Sequence, residues 1–308
     1  MRAVAISAFG APPTVIDRPE PEPQAGEVVV EVEWSSINGF DLRMAAGDLR
    51  GLFSSEPPIV LGRDLAGRVS AVGAGVSSLA VGDEVFGAVT AGTLRGGAFA
   101  ERVPVPVTNL ARRPDGLDAR GAAALPVAGV AAQRAVDQLD LRPGETVLVT
   151  GATGGVGAFA LQLAARCGAT VIATATPDRA GFVRHLGAAE VVDRDANLVA
   201  AVRTVAAGGV DAAVLAAGSL GPVLDAVRPD GRVASVVGLG DGVPEDRAVV
   251  ASSVRTVLSP EALGALGDLV VEGSLVVPIA ATYGLDEVAR AFQDFRGPKV
   301  GKLAVRVR

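Results

Sequence analysis

Residues 147–157 read Val147-Leu148-Val149-Thr150-Gly151-Ala152-Thr153-Gly154-Gly155-Val156-Gly157. An apolar run of strand character gives way to a glycine-rich turn, and residues 158–167 continue as a helix. Glycines let the backbone turn tightly and approach a ligand with no Cβ in the way. The helix N-terminus behind them offers free N–H groups and the positive end of a dipole, which suits a pyrophosphate. Residues 169–175 then supply a second strand, completing a βαβ unit of dinucleotide-binding type. The loop motif is Ala152-x-Gly154-x-x-Gly157, with alanine at the first glycine position. Ala152, Thr153, Gly154, Gly155, Val156 and Gly157 are therefore the expected cradle for the cofactor phosphates.

The rest of the C-terminal two-thirds supports this start. Strand-like segments at 190–192, 210–215 and 232–237 alternate with helical ones at 178–186, 197–207 and 220–227. That order predicts a doubly wound parallel sheet. An alanine-rich helical stretch, 121–139, precedes it. Two more helices (262–271 and 285–295) and a strand (302–307) close the chain. The first ~115 residues differ, being β-rich by pattern. In 27–34, Val28, Val30, Val32 and Trp34 fall on one face and Glu27, Glu31 and Glu33 on the other. Short strands with frequent glycine turns predict a small, irregular barrel. No repeat or linker-like stretch separates the halves, so the active site is expected in a cleft at their shared interface.

Composition narrows the function classes. The chain has 308 residues, 49% of them hydrophobic and 20% charged, enough for two domains with a sizeable core. A formal charge of −6 without a basic block argues against nucleic acid and anionic membrane as partners. The uncharged stretch 146–165 contains too many glycines for a membrane span and fits strand plus helix better. One cysteine, Cys167, excludes an internal disulfide and makes the cytoplasm the expected compartment. Residues 1–9 lack a secretory pattern and read as a strand.

Several further segments, in their order and spacing, carry a family likeness. They are Ile37-Asn38-Gly39-Phe40-Asp41, Leu61-Gly62-Arg63-Asp64-Leu65-Ala66-Gly67, Val81-Gly82-Asp83-Glu84-Val85-Phe86-Gly87, Gly96-Gly97-Ala98-Phe99-Ala100-Glu101 and Ala124-Leu125-Pro126-Val127-Ala128-Gly129. With the Gly154 loop, they resemble the medium-chain dehydrogenase/reductase superfamily, specifically its zinc-independent quinone oxidoreductase-like branch. The likeness covers almost the whole chain. It implies an α/β protein with a GroES-like irregular β-barrel catalytic domain (1–115 and 259–308) and a doubly wound Rossmann cofactor domain (116–258). It also implies a homodimer joined through the Rossmann sheet edge, for which residues 254–258 are the candidate strand.

A catalytic zinc needs three protein ligands from Cys, His and carboxylates. With one cysteine and one histidine, Cys167 and His185, both placed in Rossmann helices, no zinc is expected. Asn38 lies in the segment where the zinc-dependent branch carries its ligand cysteine, and Asp64 lies near the second ligand position. The resemblance places Asn38 at the nicotinamide ribose or the substrate carbonyl, where its amide would donate to an oxygen gaining negative charge. Asp41 is read either as a direct participant or as an organiser of its loop. Arg43 stands where many relatives have Tyr; it could bind a substrate oxygen, or pair with Asp41 or Asp64. Phe40, Leu49, Phe53 and Leu239 are further pocket candidates by position. Relatives often carry Thr within the stretch Gly129-Val130-Ala131-Ala132, where this chain has none. Tyr283, the single tyrosine, is read as structural.

The cofactor is expected to be NADPH. NAD sites place an acid at the end of the second strand, whereas NADP sites supply cations there. This strand ends Thr174-Ala175-Thr176, with Ala175 at the acidic position. Arg179 and Arg194 follow as candidate 2′-phosphate ligands, since guanidinium matches phosphate geometry. Asp178 is the counter-signal and is read as a helix cap. Gly218, Val237 and Gly238 lie at later strand ends, where the family lines the nicotinamide pocket. Lys302 is read as reaching the cofactor phosphate or as a surface residue. The resulting reading is a reductase transferring hydride to a quinone or another electron-poor conjugated carbonyl, a small-molecule substrate. An enoyl (thioester) reductase of a biosynthetic pathway stays open as an alternative. So does an NADPH-binding sensor or structural protein with little turnover.

Overall fold

The computed structural model describes residues 1–51, 56–89, 96–240, 242–245 and 247–308. The chain forms two compact units, Met1–Val127 with Leu258–Arg308, and Ala128–Val257. In chain order the first unit begins with β1 (Arg2–Ile6), β2 (Thr14–Asp17), β3 (Glu27–Ser36), α1 (Gly39–Ala46), β4 (Ile59–Val60), β5 (Asp64–Val72), β6 (Glu84–Ala88), β7 (Arg102–Pro106), β8 (Leu110–Arg112) and α2 (Ala119–Ala124). Helix α2 packs on β3 and β5, which is why this unit runs past the expected limit at 115. The alternation in β3 is only partly realised. Val28, Val30 and Val32 are fully buried, but Val29 and Glu27 on the opposite face are buried as well. β3 is an interior strand, paired with β5 on one side and with β7 on the other.

The expected single helix over 121–139 is two. α2 ends at Ala124 with Leu125 as its cap, and α3 (Pro126–Leu139) starts anew at a proline, whose missing N–H costs nothing in a first turn. There follow β9 (Thr146–Thr150), α4 (Gly155–Arg166), β10 (Thr170–Ala175), α5 (Ala180–His185), β11 (Glu190–Asp193), α6 (Leu198–Val205), β12 (Val210–Leu215), α7 (Leu220–Ala226), β13 (Val227–Ser235) and β14 (Val249–Ser253). All pairings in this sheet are parallel, in the order β11-β10-β9-β12-β13-β14. Numbered within the unit this is 3-2-1-4-5-6, the doubly wound order, whose ligand crevice lies at the carboxyl ends of the strands where the order reverses. The edge strand beyond β13 is β14, so residues 254–258 are neither the expected edge strand nor a strand at all. Val254 adds one N–H bond to Ser235 O and the chain then leaves the sheet.

The chain closes with α8 (Pro260–Val271), β15 (Ile279–Gly284), α9 (Val288–Arg296) and β16 (Lys302–Arg306), all in the first unit. β16 joins β3 from the side opposite β5, giving the order β15-β16-β3-β5-β6-β8, and β2-β1-β4 form a smaller sheet. Because β3 is antiparallel to both neighbours, its C-terminal end meets the first residues of β5 and β16. Ser36 stands opposite Asp64 on one side and Ala304 on the other. Behind them lies a core that includes Phe99, Phe292, Ile37 and Leu303. No described helix is long and apolar enough to cross a membrane.

Candidate functional site

The glycine loop of the second unit is built as a phosphate cradle. Gly151 leaves β9 at φ +62°, a left-handed conformation in which a side chain would also strike Ala217. Gly154 caps α4 in an extended conformation, leaving the first N–H groups of the helix free. A Cβ on Gly157 would lie 2.2 Å from Gly151 O, so only glycine lets the helix close against the turn. Two hydroxyls hold this loop. Thr174 Oγ1 accepts from Gly151 N (3.1 Å), and Thr150 Oγ1 donates to Ala217 O (2.8 Å). Gly151 was not among the expected ligands, although its place directly after an apolar strand marks it.

Above the strand ends lies a cavity of about 590 Å³. Of the expected residues, Thr153, Thr174, Arg194 and Gly218 line it; Gly151, Asn197, Ser219 and Asp225 join them. Arg194 is exposed, its backbone N–H bonded to Ala175 O and its Nε to Asp195. Ala175 itself is buried, so β10 ends without a carboxylate. Arg179 lies in the 3₁₀ turn that follows, its Nε 3.3 Å from Asp178. Asp178 caps no helix: its carboxylate is held by the Thr176 hydroxyl and by Arg179, which draw its pKa down. Val237 and Gly238 lie past the end of β13, outside the cavity lining, with Gly238 O tied to Ser235 Oγ. The loop, the strand ends and the volume together fit a dinucleotide.

The first unit carries a buried polar cluster where β3, β5 and β16 meet. Lys302, the first residue of β16, is 3% exposed. Its ammonium donates to Asn38 Oδ1 (2.7 Å), Asp64 Oδ2 (3.1 Å) and Ile37 O (3.2 Å). With its three donors so engaged, it is neither a phosphate ligand nor a surface residue, and both readings of Lys302 are corrected. Asp64 Oδ2 also accepts from Ser36 Oγ (2.6 Å) and Asn38 Nδ2 (2.8 Å), and Oδ1 accepts from Val127 N (2.9 Å). Asn38 is thereby fixed. Lysine can only donate and carboxylate only accept, so the amide has one possible orientation. Its oxygen is consumed by Lys302, and its nitrogen points at Asp64 and, weakly, at Ser36 O (3.5 Å). Of the two amide N–H groups one is committed to Asp64; the other, held only weakly by Ser36 O, is the one left for the expected donation to a substrate oxygen.

Asp41 is 1% exposed and accepts from Asn38 N (2.8 Å), capping the first turn of α1. Burial pushes its pKa up to about 7 against the pull of that hydrogen bond; Asp64 adds to the rise, and Arg63 and Lys302 oppose it. Asp41 thus ties the start of α1 to Asn38 N. Arg43 is exposed, and among the described residues it makes no ion pair with Asp41 or Asp64. The guanidinium that faces them is Arg63, missed as a site residue although it stands beside Asp64 in the chain. Gly62, at φ +93° and packed against Phe99 N, turns the chain so that Arg63 leaves the core. The Arg63 guanidinium carbon stacks 4.4 Å from the Phe40 ring centroid, and its Nε donates to Val89 O (3.0 Å). Leu49 is in the core, Leu239 is half-buried, and Phe53 lies outside the described residues. Tyr283 is buried with its hydroxyl on Asp294 (2.8 Å), a structural contact.

These donors do not suit zinc. At the two places that the resemblance marks stand an amide bonded at both ends and a carboxylate already holding four donors, with a guanidinium alongside. Zinc takes thiolate, imidazole or free carboxylate. Cys167 and His185 lie in the other unit, and the described residues contain no group of three or more His, Cys, Asp or Glu able to hold a metal.

Comparison with known proteins finds relatives over most of the chain. Residues 24–115 match the alcohol dehydrogenase GroES-like domain family, and residues 155–286 match the zinc-binding dehydrogenase family. A quinone oxidoreductase from Lama guanicoe is 32% identical, over 96% of this chain and 93% of its own. An acryloyl-coenzyme A reductase from Metallosphaera sedula is 28% identical, over 98% and 99%. A mycobacterial structure solved with NADPH shares 26% identity over 99% of this chain and 100% of its own, with a TM-score of 0.87. The chain belongs to the medium-chain dehydrogenase/reductase superfamily of nicotinamide-dependent oxidoreductases, in its quinone oxidoreductase-like branch.

Proposed function

We propose that this chain is a zinc-independent, NADPH-dependent reductase of quinones or other electron-poor conjugated carbonyl compounds. One observation carries the cofactor choice: β10 ends at a buried alanine with no carboxylate, while Arg194 lines the cavity beside it. An acid there would hold ribose hydroxyls and repel a 2′-phosphate; a cation attracts it. Arg179, one turn away, is the second ligand. The Gly154 loop and the α4 N-terminus take the pyrophosphate, and Gly218, with Val237 and Gly238 at the later strand ends, serves the nicotinamide half. The relative solved with NADPH supports this reading.

Bound NADPH supplies the hydride. The protein positions acceptor and donor, excludes water, and offers positive charge to the oxygen that becomes anionic. The cluster in the first unit provides that charge without a metal. A relative named for acryloyl-coenzyme A favours an enoyl thioester as the second acceptor class. The test is NADPH and NADH oxidation, in parallel, against quinones, enones and enoyl thioesters. Faster turnover of one class with NADPH is the expected result. Tight NADPH binding without turnover of any acceptor would replace the reductase by a sensor.

The proposed homodimer forms through β14, an edge strand whose Val250 is 69% exposed. Val250→Lys should shift sedimentation from dimer to monomer; a monomeric native chain would refute it. The single cysteine keeps the cytoplasm as the proposed compartment.

A further inference from the structure

The charges of the cluster do not cancel. Lys302 neutralises Asp64 at 3.1 Å. Asp41, its pKa pushed by burial to about 7, is only partly ionised near neutrality, so it is not a full counter-ion. Arg63 is then the cation left over. Its Nε is spent on Val89 O and one face of the guanidinium lies on the Phe40 ring, which fixes the plane of the fork. Among the described residues its two Nη atoms make no hydrogen bond or ion pair. Burial lowers its pKa, and Asp41 and Asp64 raise it; a guanidinium stays charged under such opposing influences. A pre-oriented, half-buried fork with unspent donors is a receptor for an oxyanion.

We propose that Arg63 is a catalytic residue that contacts the carbonyl oxygen of the acceptor and stabilises the negative charge that hydride transfer puts there. This rests on the reductase reading of the same site. In an enone, the acceptor takes a hydride on its β-carbon from the reduced nicotinamide, which is thereby oxidised. The C=C π pair shifts and the carbonyl π pair moves onto oxygen, giving an enolate. A solvent proton then completes the product at the α-carbon. In a quinone the corresponding oxygen becomes a phenolate before water protonates it. In either case the Nη donors meet an oxygen that is more negative after hydride arrives than before, which is the condition for lowering the barrier.

The probe is 4-nitrophenolate, an oxyanion whose absorbance reports its own ionisation, added to the full chain saturated with NADP⁺. The native chain should bind it and lower its pKa by roughly one unit, as a neighbouring cation does. Arg63→Ala should abolish the shift, and Arg63→Lys, which keeps charge without the fork, should retain part of it. With an acceptor that the native chain reduces, Arg63→Ala should lose about 10²–10³ in kcat with NADPH affinity unchanged. Ethylguanidinium should restore part of that rate, which a merely structural role for Arg63 does not allow. Arg63-dependent phenolate binding without turnover of any acceptor would remove the reductase reading, and the catalytic role with it, and leave Arg63 as an oxyanion-binding residue only. Native turnover with Arg63→Ala within about threefold of it would do the reverse. Absence of phenolate binding to the native chain, or equal binding to Arg63→Ala, would overturn the assignment.

Discussion

Replacing Lys302 by Met tests the buried cluster directly. Methionine keeps the length and apolar stem of the side chain and removes the ammonium. Asp64 is then left at 0% exposure without its cation. Breaking a buried ion pair from one side costs about 3–5 kcal/mol. Asp64 keeps its bonds from Ser36, Asn38 and Val127, which puts the charge term near the lower end, about 3 kcal/mol. Asn38 Oδ1 and Ile37 O lose a donor each, at about 1 kcal/mol apiece. The expected loss is therefore about 5 kcal/mol in all. Asp64→Asn should cost a similar amount, because it leaves the Lys302 ammonium buried with no counter-charge. The double variant removes both charges at once. It should be milder than the sum of the two by about 2 kcal/mol, as expected for residues in direct contact. Urea unfolding followed through Trp34, the single tryptophan and a residue of β3 in the same unit, reads the effect. Single-variant losses below about 1 kcal/mol, or strict additivity, would show that the Lys302–Asp64 pair is not the strut described here.

Two further outcomes follow from the site. Arg194→Ala, alone and with Arg179→Ala, should weaken NADPH binding by ~10-fold or more and leave NADH binding nearly unchanged; equal losses in fluorescence titrations with the two cofactors would remove these arginines from the 2′-phosphate. Asp41 has a folded pKa of about 7 against an ordinary 3.8, so between those values the native state holds a proton that the unfolded state has lost. Stability from this group is therefore greatest below pH 4 and falls as pH rises to 7, by up to about 4 kcal/mol. Asp41→Asn keeps an acceptor for Asn38 N and cannot ionise. Its Tm should decline less than that of the native chain between pH 4.5 and 8, and parallel curves would refute the shift.

The second unit was largely legible because its information is local. β12 spans the predicted 210–215, and α7 ends one residue short of its predicted range. α4 begins three residues early because Gly154, read as part of the turn, is already the helix cap. The edge strand was misplaced for a different reason. Residues 249–253 and 254–258 are both rich in valine, and an exposed edge leaves no burial alternation to separate them. What separates them is register on β13, where Gly231 pairs with Val249 and Ser235 with Ser253. Such a pairing is a tertiary fact. The same holds at α2, whose helical pattern was visible but whose attachment to β3 and β5 was not.

In the first unit the site residues were mostly named, yet their roles were not readable. Asn38 looks like a free amide donor as long as its neighbours are unknown. Its partner Lys302 lies 264 positions away in the chain, and no periodicity links them. The link is topological: an antiparallel β3 brings its end to the starts of β5 and β16, so a Ser-x-Asn at one end meets Asp64 and Lys302 at the others. Once that junction forms, the carbonyl oxygen and one N–H of Asn38 and every donor of Lys302 are taken inside the protein. A group cannot give to substrate what it has already given to its neighbours, so the chemical role passes to the side chain with donors to spare. By that accounting the reacting oxygen belongs to Arg63. Asn38, Asp64 and Lys302 form the charge-balanced cluster beside it, while the Phe40 ring and Val89 O hold the guanidinium.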